Sequence, residues 1–441
     1  MKHPKILSGS AAKLALTRSF GQPQVTSAML ERNRVLFGQP LTPDQAVTKI
    51  LEDIQKHGDE AVFEYATKLD GIPQDGIQVP RSAWLEAREN LDPDLLQAIR
   101  QAVTRVRDFH LRQPTHGFLE HTESGALGQL VRPLERVGLY APAGANPLAS
   151  SVIHTAVVAG VAGVPEIILC TPPNKAGFVD PTTLVAALES GVTKVFALGG
   201  AVAVGAMAFG TTTVPRVDKI GGPGNIYTVL AMRQVYGQVG IISLPGPTET
   251  LVLADDTANP VHVAADLLAQ AEHVEAEPVL IALSKHILKA TLLELEQQLA
   301  SLPEPNQTWA RNAWQQRGKI ILESNLETAL ELANHYAPEH LCLLIKNPWD
   351  ALGFVKHAGG VFIGEYSMEA LGDYLAGPSH VMPTMGTARF SSPVNVRDFQ
   401  KIISVVAVNR QTLAATAKDA ARLARAEGLE AHARAIESRS P

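Results

Sequence analysis

Apolar and polar positions change rhythm several times along the 441-residue chain. From Thr42-Pro43-Asp44, the positions Ala46, Ile50 and Ile54, then Ala61, Phe63 and Tyr65, recur at helical spacing, broken at His57-Gly58-Asp59. Asp92-Pro93-Asp94 opens another helix with Leu95, Ile99, Val103 and Val106 on one face. The first 110 residues or so therefore read as a helical lead-in. Beyond them, short apolar runs alternate with longer helical ones. Strands are predicted at Arg136–Tyr140, Glu166–Cys170, Lys194–Leu198 and in the short segment ending at Lys219-Ile220-Gly221. Helices are predicted over Ser150–Val161, over Pro181–Glu189 and after Gly199-Gly200.

A second αβ series follows, with strands Leu251–Asp255, Pro278–Leu283, Lys319–Leu322, His340–Ile345 and Gly360–Ile363. Helices Pro260 to about His273 and Lys285–Leu299 lie between them. Strand–helix alternation predicts parallel sheets covered on both faces. The fold class is α/β: two Rossmann-like parallel-sheet domains side by side, with small helical N- and C-terminal extensions. Residues 1–40 form the N-terminal helical arm, 41–138 with 250–390 the first domain, 139–249 the second, and 391–441 the tail. Past Phe390 the chain is extended, then Gln411–Arg439 is alanine-rich and helical. Such a tail makes no core of its own and is expected to pack elsewhere, on a partner subunit.

Composition narrows the function classes. Hydrophobic residues make up 46% and charged residues 19%, a globular balance, and 38 basic against 44 acidic residues leave a net charge of −6. No long basic run or basic–aromatic patch offers a surface to nucleic acid. Cys170 and Cys342 are the only cysteines, both in apolar strands, which points to buried thiols in a reducing cytoplasm. The apolar run Thr155–Val164 is too short to span a bilayer, and Lys13 and Arg18 interrupt any leader-like apolar segment. A soluble, cytoplasmic protein is expected.

Chemistry concentrates between Ala337 and Thr384. Ala337-Pro338-Glu339-His340-Leu341 and Gly372-Asp373-Tyr374-Leu375-Ala376-Gly377-Pro378-Ser379-His380 place histidines and carboxylates beside turn-forming residues. His340 has the side chain suited to take a proton near neutrality, with Glu339 beside it to tune the site or orient a water, although the dipeptide alone reads first as two solvated polar residues in a helix-to-strand connection. Gln270-Ala271-Glu272-His273 closes a helix, and an amide and an imidazole three apart can hold a divalent metal of the zinc or manganese type. Alone, that pattern is first a solvated helix end with His273 as a C-terminal cap, since one Q-x-x-H is weak. Gly222-Pro223-Gly224-Asn225 and Gly199-Gly200-Ala201 follow strands and precede helices, where backbone amides attract phosphate. They equally serve tight turns, and neither the G-x-G-x-x-G fingerprint nor a Walker lysine is present.

These motifs, with Gly246-Pro247-Thr248-Glu249, Ala388-Arg389-Phe390-Ser391-Ser392 and Glu427-Gly428-Leu429-Glu430-Ala431-His432, run in the order seen in histidinol dehydrogenases. From about Thr42 to Arg439 the chain resembles that family. The resemblance implies a zinc- and NAD-dependent homodimer that oxidises L-histidinol through L-histidinal to L-histidine. It implies Gln270, His273, Asp373 and His432 as ligands of one zinc per subunit, with His432 reaching the other subunit's site from the exchanged tail. It further implies His340 as general base and Glu339 as the activator of water. Substrate contacts would be Thr248, Gln270, His273, His340, Asp373, His380, Glu427 and His432. Cofactor contacts would be Tyr140, Val202 and Asn225, which makes 139–249 the cofactor side and the first domain the metal and catalytic side.

Several positions depart from the family pattern. Val202 replaces a glutamine, Pro142-Ala143-Gly144 replaces Pro-Gly-Gly, and Pro245-Gly246-Pro247-Thr248-Glu249 replaces Ala-Gly-Pro-Ser-Glu. Ile242 replaces an aspartate, and Pro378-Ser379-His380 replaces Pro-Asn-His. They leave open a paralogous enzyme for another small polar alcohol, amino or sulfonated, or a scaffold that has lost cofactor binding.

Overall fold

The computed structural model describes residues 2–18, 25–71, 76–143 and 147–439; Gly144, one of the departures above, lies outside them. Two parallel sheets organise the chain. The five-stranded sheet runs in the order Lys194–Ala197, Glu166–Thr171, Arg136–Tyr140, Lys219–Gly221, Gly240–Ile241. The six-stranded sheet runs in the order Ile6–Leu7, Lys319–Leu322, Glu277–Ala282, Glu249–Ala254, His340–Leu344, Gly360–Ile363. Both are buried on two faces, which is why their strands read as unbroken apolar runs. Leu251, Leu253, Val279 and Leu343 are fully buried, as are Val137, Leu139 and Ile168.

The helices of the lead-in belong to the five-stranded sheet, not to the 250–390 unit with which the sequence groups them. Ile50, Leu51 and Ile54 of helix Pro43–His57 pack with Met207 and Leu230 on one face. Trp84, Val103 and Val106 of helices Arg81–Asn90 and Pro93–His110 pack with Val152 and Leu169 on the other. An amphipathic helix declares which of its faces is buried but not which sheet receives it. The N-terminal arm is likewise not wholly helical, since Ile6–Leu7 adds an edge strand beside Ile320 and Ile321.

A third, antiparallel sheet joins Gln400–Val408, Gly125–Pro133 and Phe118–Thr122. Its apolar side chains stay exposed, among them Phe118, Leu127, Ile402 and Val406. Beyond it, helices Arg410–Ala426 and Glu430–Glu437 bury Ala421, Ala424 and Ala433 against each other, leaving Leu423 and Leu429 in solvent. A three-alanine core is too small to hold such a hairpin by itself.

Each parallel sheet has a switch point where the strand order reverses. In the five-stranded sheet it lies between Arg136–Tyr140 and Lys219–Gly221; in the six-stranded sheet, between Glu249–Ala254 and His340–Leu344. The first follows the general rule for open α/β sheets, with its glycine turns at the strands' carboxyl ends. The second does not. Glu249, His340 and Gly360 are the first residues of their strands. The candidate residues of the six-stranded sheet therefore lie at its amino ends, the reverse of the expectation from strand polarity.

Candidate active site

Three adjacent strand starts and the turns before them assemble the site. Pro338 precedes Glu339, and Ala337 closes helix Leu326–Tyr336 in the left-handed region at φ 53°. The chain so reversed drops Glu339 and His340 onto the edge of the neighbouring strand, where His340 registers with Thr250. Both are buried, at 7% and 2% exposure. A single residue grips the pair: the Glu249 N–H donates to Glu339 Oε2 at 3.0 Å, and His340 Nδ1 lies 2.9 Å from the Glu249 carbonyl. A carbonyl only accepts, so Nδ1 carries the proton and Nε2 presents its lone pair. That Nε2 is buried and has no hydrogen-bond partner among the described residues.

Thr248 Oγ1 stands 2.7 Å from both Glu339 Oε2 and Gln270 Oε1. Burial drives the Glu339 carboxyl well above the usual carboxylate range, although the Thr248 hydroxyl and Glu249 amide favour its ionised form. Behind the pair lies Glu369, entirely buried, with Oε2 3.9 Å from His340 Nδ1 and 3.9 Å from Cys342 Sγ. Burial lifts Glu369 to about 8. Both cysteines are buried, as expected, and burial raises each thiol well above the range in which a thiolate forms.

Gln270 is buried in the last turn of helix Pro260–Ala271, while His273 lies two residues past its end and is exposed. The two share a turn, through His273 N–H to the Gln270 carbonyl at 3.0 Å, and not a helix face as their spacing suggests. Asp373, on helix Glu369–Tyr374, faces His380 at 3.7 Å; burial lowers the pKa of the His380 imidazole, and His340 and His273 are near enough to act on it electrostatically. Glu339, His340, Thr248, Gln270, His273, Asp373 and His380 therefore converge. His432 and Glu427 do not: both lie exposed on the tail, and among the described residues no hydrogen bond or ion pair joins them to the others.

The five-stranded sheet supplies the other wall. His154, in helix Ala149–Val161, stacks on His380, and Ser151 Oγ lies 3.2 Å from His380 Nε2. Of the three cofactor candidates, Asn225 caps helix Ile226–Val235 through Tyr227 N–H and Thr228 N–H. The Tyr140 hydroxyl accepts from Gly200 N–H at 3.1 Å, and burial raises this phenol to about 12. Val202 is wholly inside the core, so its side chain offers nothing to a ligand. Gly222, at φ 124°, is required here, because a Cβ would stand 2.0 Å from the Tyr140 carbonyl oxygen.

Sequence reasoning missed Glu369, His154, Ser151 and Glu249. Glu369 precedes Asp373 by one helical turn, a signal that was available. A lone histidine at the head of the apolar run beginning at Thr155 was a second.

The donors present are an amide oxygen, an imidazole and a carboxylate, a set that suits zinc or a similar borderline ion. Among the described residues no three His, Cys, Asp or Glu side chains gather to hold a metal within one chain.

Comparison with known proteins places this geometry in a family. The family model described as histidinol dehydrogenase matches residues 40–440. A histidinol dehydrogenase of Deinococcus radiodurans is 60% identical over 435 residues, covering 99% of each chain. That of Thermus thermophilus is 50% identical over 399 residues, 90% of this chain and 95% of its own. The crystal structure of the Elizabethkingia anophelis histidinol dehydrogenase superposes with a TM-score of 0.89 at 34% identity, covering 100% and 98% of the two chains.

Proposed function

The chain belongs to the histidinol dehydrogenase family of oxidoreductases, and we propose that it oxidises L-histidinol to L-histidine by way of L-histidinal, with zinc and NAD. The observation that carries this reading is the buried His340 Nε2, unpartnered among the described residues, its tautomer fixed by the Glu249 carbonyl. When bound, zinc would polarise the substrate's oxygen and NAD would supply the hydride acceptor.

The residues' own parts follow from their geometry. His340 Nε2 takes the hydroxyl proton as the carbinol hydride leaves, and its ring charge is stabilised by the Glu249 carbonyl that accepts from Nδ1. Glu339, held at Oε2 by Thr248 and Glu249, keeps Oε1 for the water that adds to the aldehyde. Its raised affinity for protons makes it, once ionised, a stronger base for that water. His380 and Asp373 line the side facing Ser151, where the substrate's polar groups would lie. Tyr140, Gly222 and Asn225 mark the switch-point crevice for the cofactor.

We further infer a homodimer in which Gln270, His273 and Asp373 of one subunit are completed by the other subunit's His432, with Glu427 touching the substrate. The exposed tail, with a hairpin core of only three alanines and an exposed apolar sheet, supports this exchange. No described helix is long and apolar enough to cross a membrane.

Purified protein supplied with zinc, NAD and L-histidinol should form two NADH for each histidine. A second reading, another small polar alcohol, is favoured only by Thr248, whose hydroxyl is already engaged by Gln270 and Glu339. Turnover of such an alcohol without turnover of histidinol would select it.

A further inference from the structure

Arg18 lies ahead of the residues matched by the family model, yet its guanidinium reaches the back of the active site. Nη2 pairs with Glu249 Oε2 at 2.5 Å, Nη1 faces Glu277 Oε2 at 3.4 Å, and Nε donates to the Tyr336 carbonyl at 3.2 Å. The guanidinium carbon also lies over the Tyr336 ring, 3.6 Å from its centroid. Glu249 is 2% exposed, so its charge has little water to lean on. Its second oxygen accepts from Met385 N–H at 2.8 Å. Lys319 answers Glu277 from the neighbouring strand, and among the described residues Arg18 is the cation that hydrogen-bonds Glu249.

What makes this cluster more than a structural ion pair is the backbone of Glu249. Its N–H holds Glu339 and its carbonyl holds His340. Tyr336, the other group Arg18 grips, ends the helix three residues before Glu339. We propose that Arg18 is a positioning residue for the reaction: it clamps the Glu249 carboxylate and the Tyr336 carbonyl, and so fixes the one residue on which both Glu339 and His340 hang. The proposal rests on the reading of those two as the catalytic pair. A guanidinium is suited to the task because its planar fork serves three acceptors at once, which an ammonium on a flexible stem does not.

The test compares the full-length protein with Arg18→Met and Arg18→Lys in zinc-supplemented buffer. Three quantities are followed: kcat and KM for L-histidinol and NAD, the thermal midpoint, and hydrogen–deuterium exchange of the peptide carrying the Glu249 amide. Arg18→Met should lower kcat on the order of 10- to 100-fold, the scale of a misplaced catalytic group, with both KM values within about twofold. Its Glu249 peptide should exchange at least about tenfold faster, and Arg18→Lys should recover part of both losses. A folded Arg18→Met with wild-type kcat, or with activity lost only in proportion to its folded fraction and unchanged exchange, overturns the proposal. If Arg18→Met does not fold, Arg18→Lys decides by the same split between kcat and KM. If the wild type does not oxidise histidinol, the catalytic reading fails, and the exchange comparison alone still upholds or overturns the clamp.

Discussion

His154 and His380 stack with ring centroids 4.5 Å apart and planes within 2° of parallel, although one rises from the five-stranded sheet's layer and the other from the loops over the six-stranded sheet. The His380 N–H donates to His154 Nδ1 at 3.2 Å, and His380 Nδ1 lies 2.9 Å from the Asp373 carbonyl. Burial, reinforced by the facing ring, holds His154 well below the ordinary imidazole value of 6.5. The stack is thus a contact between neutral rings. A histidine whose folded-state pKa is lowered costs no stability above the unfolded value, and stability is lost as the pH falls below it. His154→Phe keeps a stacked ring but orphans the His380 amide, which should cost about 1–3 kcal/mol at pH 7.5. Urea unfolding at pH 5.5 should show a smaller gap between wild type and variant, because only the wild type carries the protonation penalty. A gap that widens on acidification would show that His154 is charged in the fold.

Thr248 has one hydroxyl proton and two acceptors, Gln270 Oε1 and Glu339 Oε2, each at 2.7 Å. Both contacts are satisfied when the Glu339 carboxyl is protonated and donates in return, which agrees with its raised proton affinity. Thr248→Val preserves shape and removes the link. The expected loss is on the order of tenfold in kcat/KM, the worth of one such bond, with Thr248→Ser retaining most of the activity. Equal activity in both variants would show that the hydroxyl plays no part.

How legible all this was in the sequence differs by element. The strand Arg136–Tyr140 and the helix Pro181–Glu189 match their expected bounds, because strands and helices buried on every side print themselves as apolar runs between glycines and prolines. Glu339 and His340 stood out because a proline and a strand start frame them. The sheet formed by Phe118–Thr122, Gly125–Pro133 and Gln400–Val408 was not legible beyond an extended segment after Phe390. Its pairing joins residues far apart in the chain, and its exposed faces show no clean apolar–polar alternation. The destination of the lead-in helices was hidden for the same reason of distance. Glu369, one turn before Asp373, and His154, at the head of an apolar run, each carried a weak signal, but only the folded packing shows what they face.

Glu369 gives a pH signature of opposite sign to that of His154. Burial raises this carboxyl from the ordinary 4.5 to about 8. Between those values the folded protein binds a proton that the unfolded chain has released, so stability falls as the pH rises through the window. Glu369→Gln abolishes the titration while keeping the shape. Relative to wild type, the variant should gain stability between pH 5 and pH 8.5, by about 1.4 kcal/mol for each pKa unit removed. Chemical denaturation at the two pH values measures this directly, and an unchanged difference would mean that Glu369 is ionised throughout.

The proposed ligands can be tested by metal content alone. His273 is exposed and lies outside the helix, so its removal disturbs no packing. His273→Ala should leave the thermal midpoint of the metal-free protein unchanged, yet lower zinc affinity by at least about 10- to 100-fold, as expected for a lost ligand in a four-donor site. Zinc retained at wild-type stoichiometry after dialysis against a mild chelator would refute the assignment.

The tail gives the sharpest test of the dimer. His432 and Glu427 are exposed and, among the described residues, unconnected to Gln270, His273 and Asp373. If the exchanged arrangement holds, His340→Ala and His432→Ala are each inactive as homodimers but complement each other when co-expressed. In the mixed dimer, the body of the His432→Ala chain keeps His340 and receives His432 of the partner subunit, which makes one intact site. Random pairing puts half the dimers in the mixed class with one working site in each, so roughly a quarter of wild-type activity should return. A tail that served its own body would place one lesion in every site of the mixed dimer, and no activity would return at all.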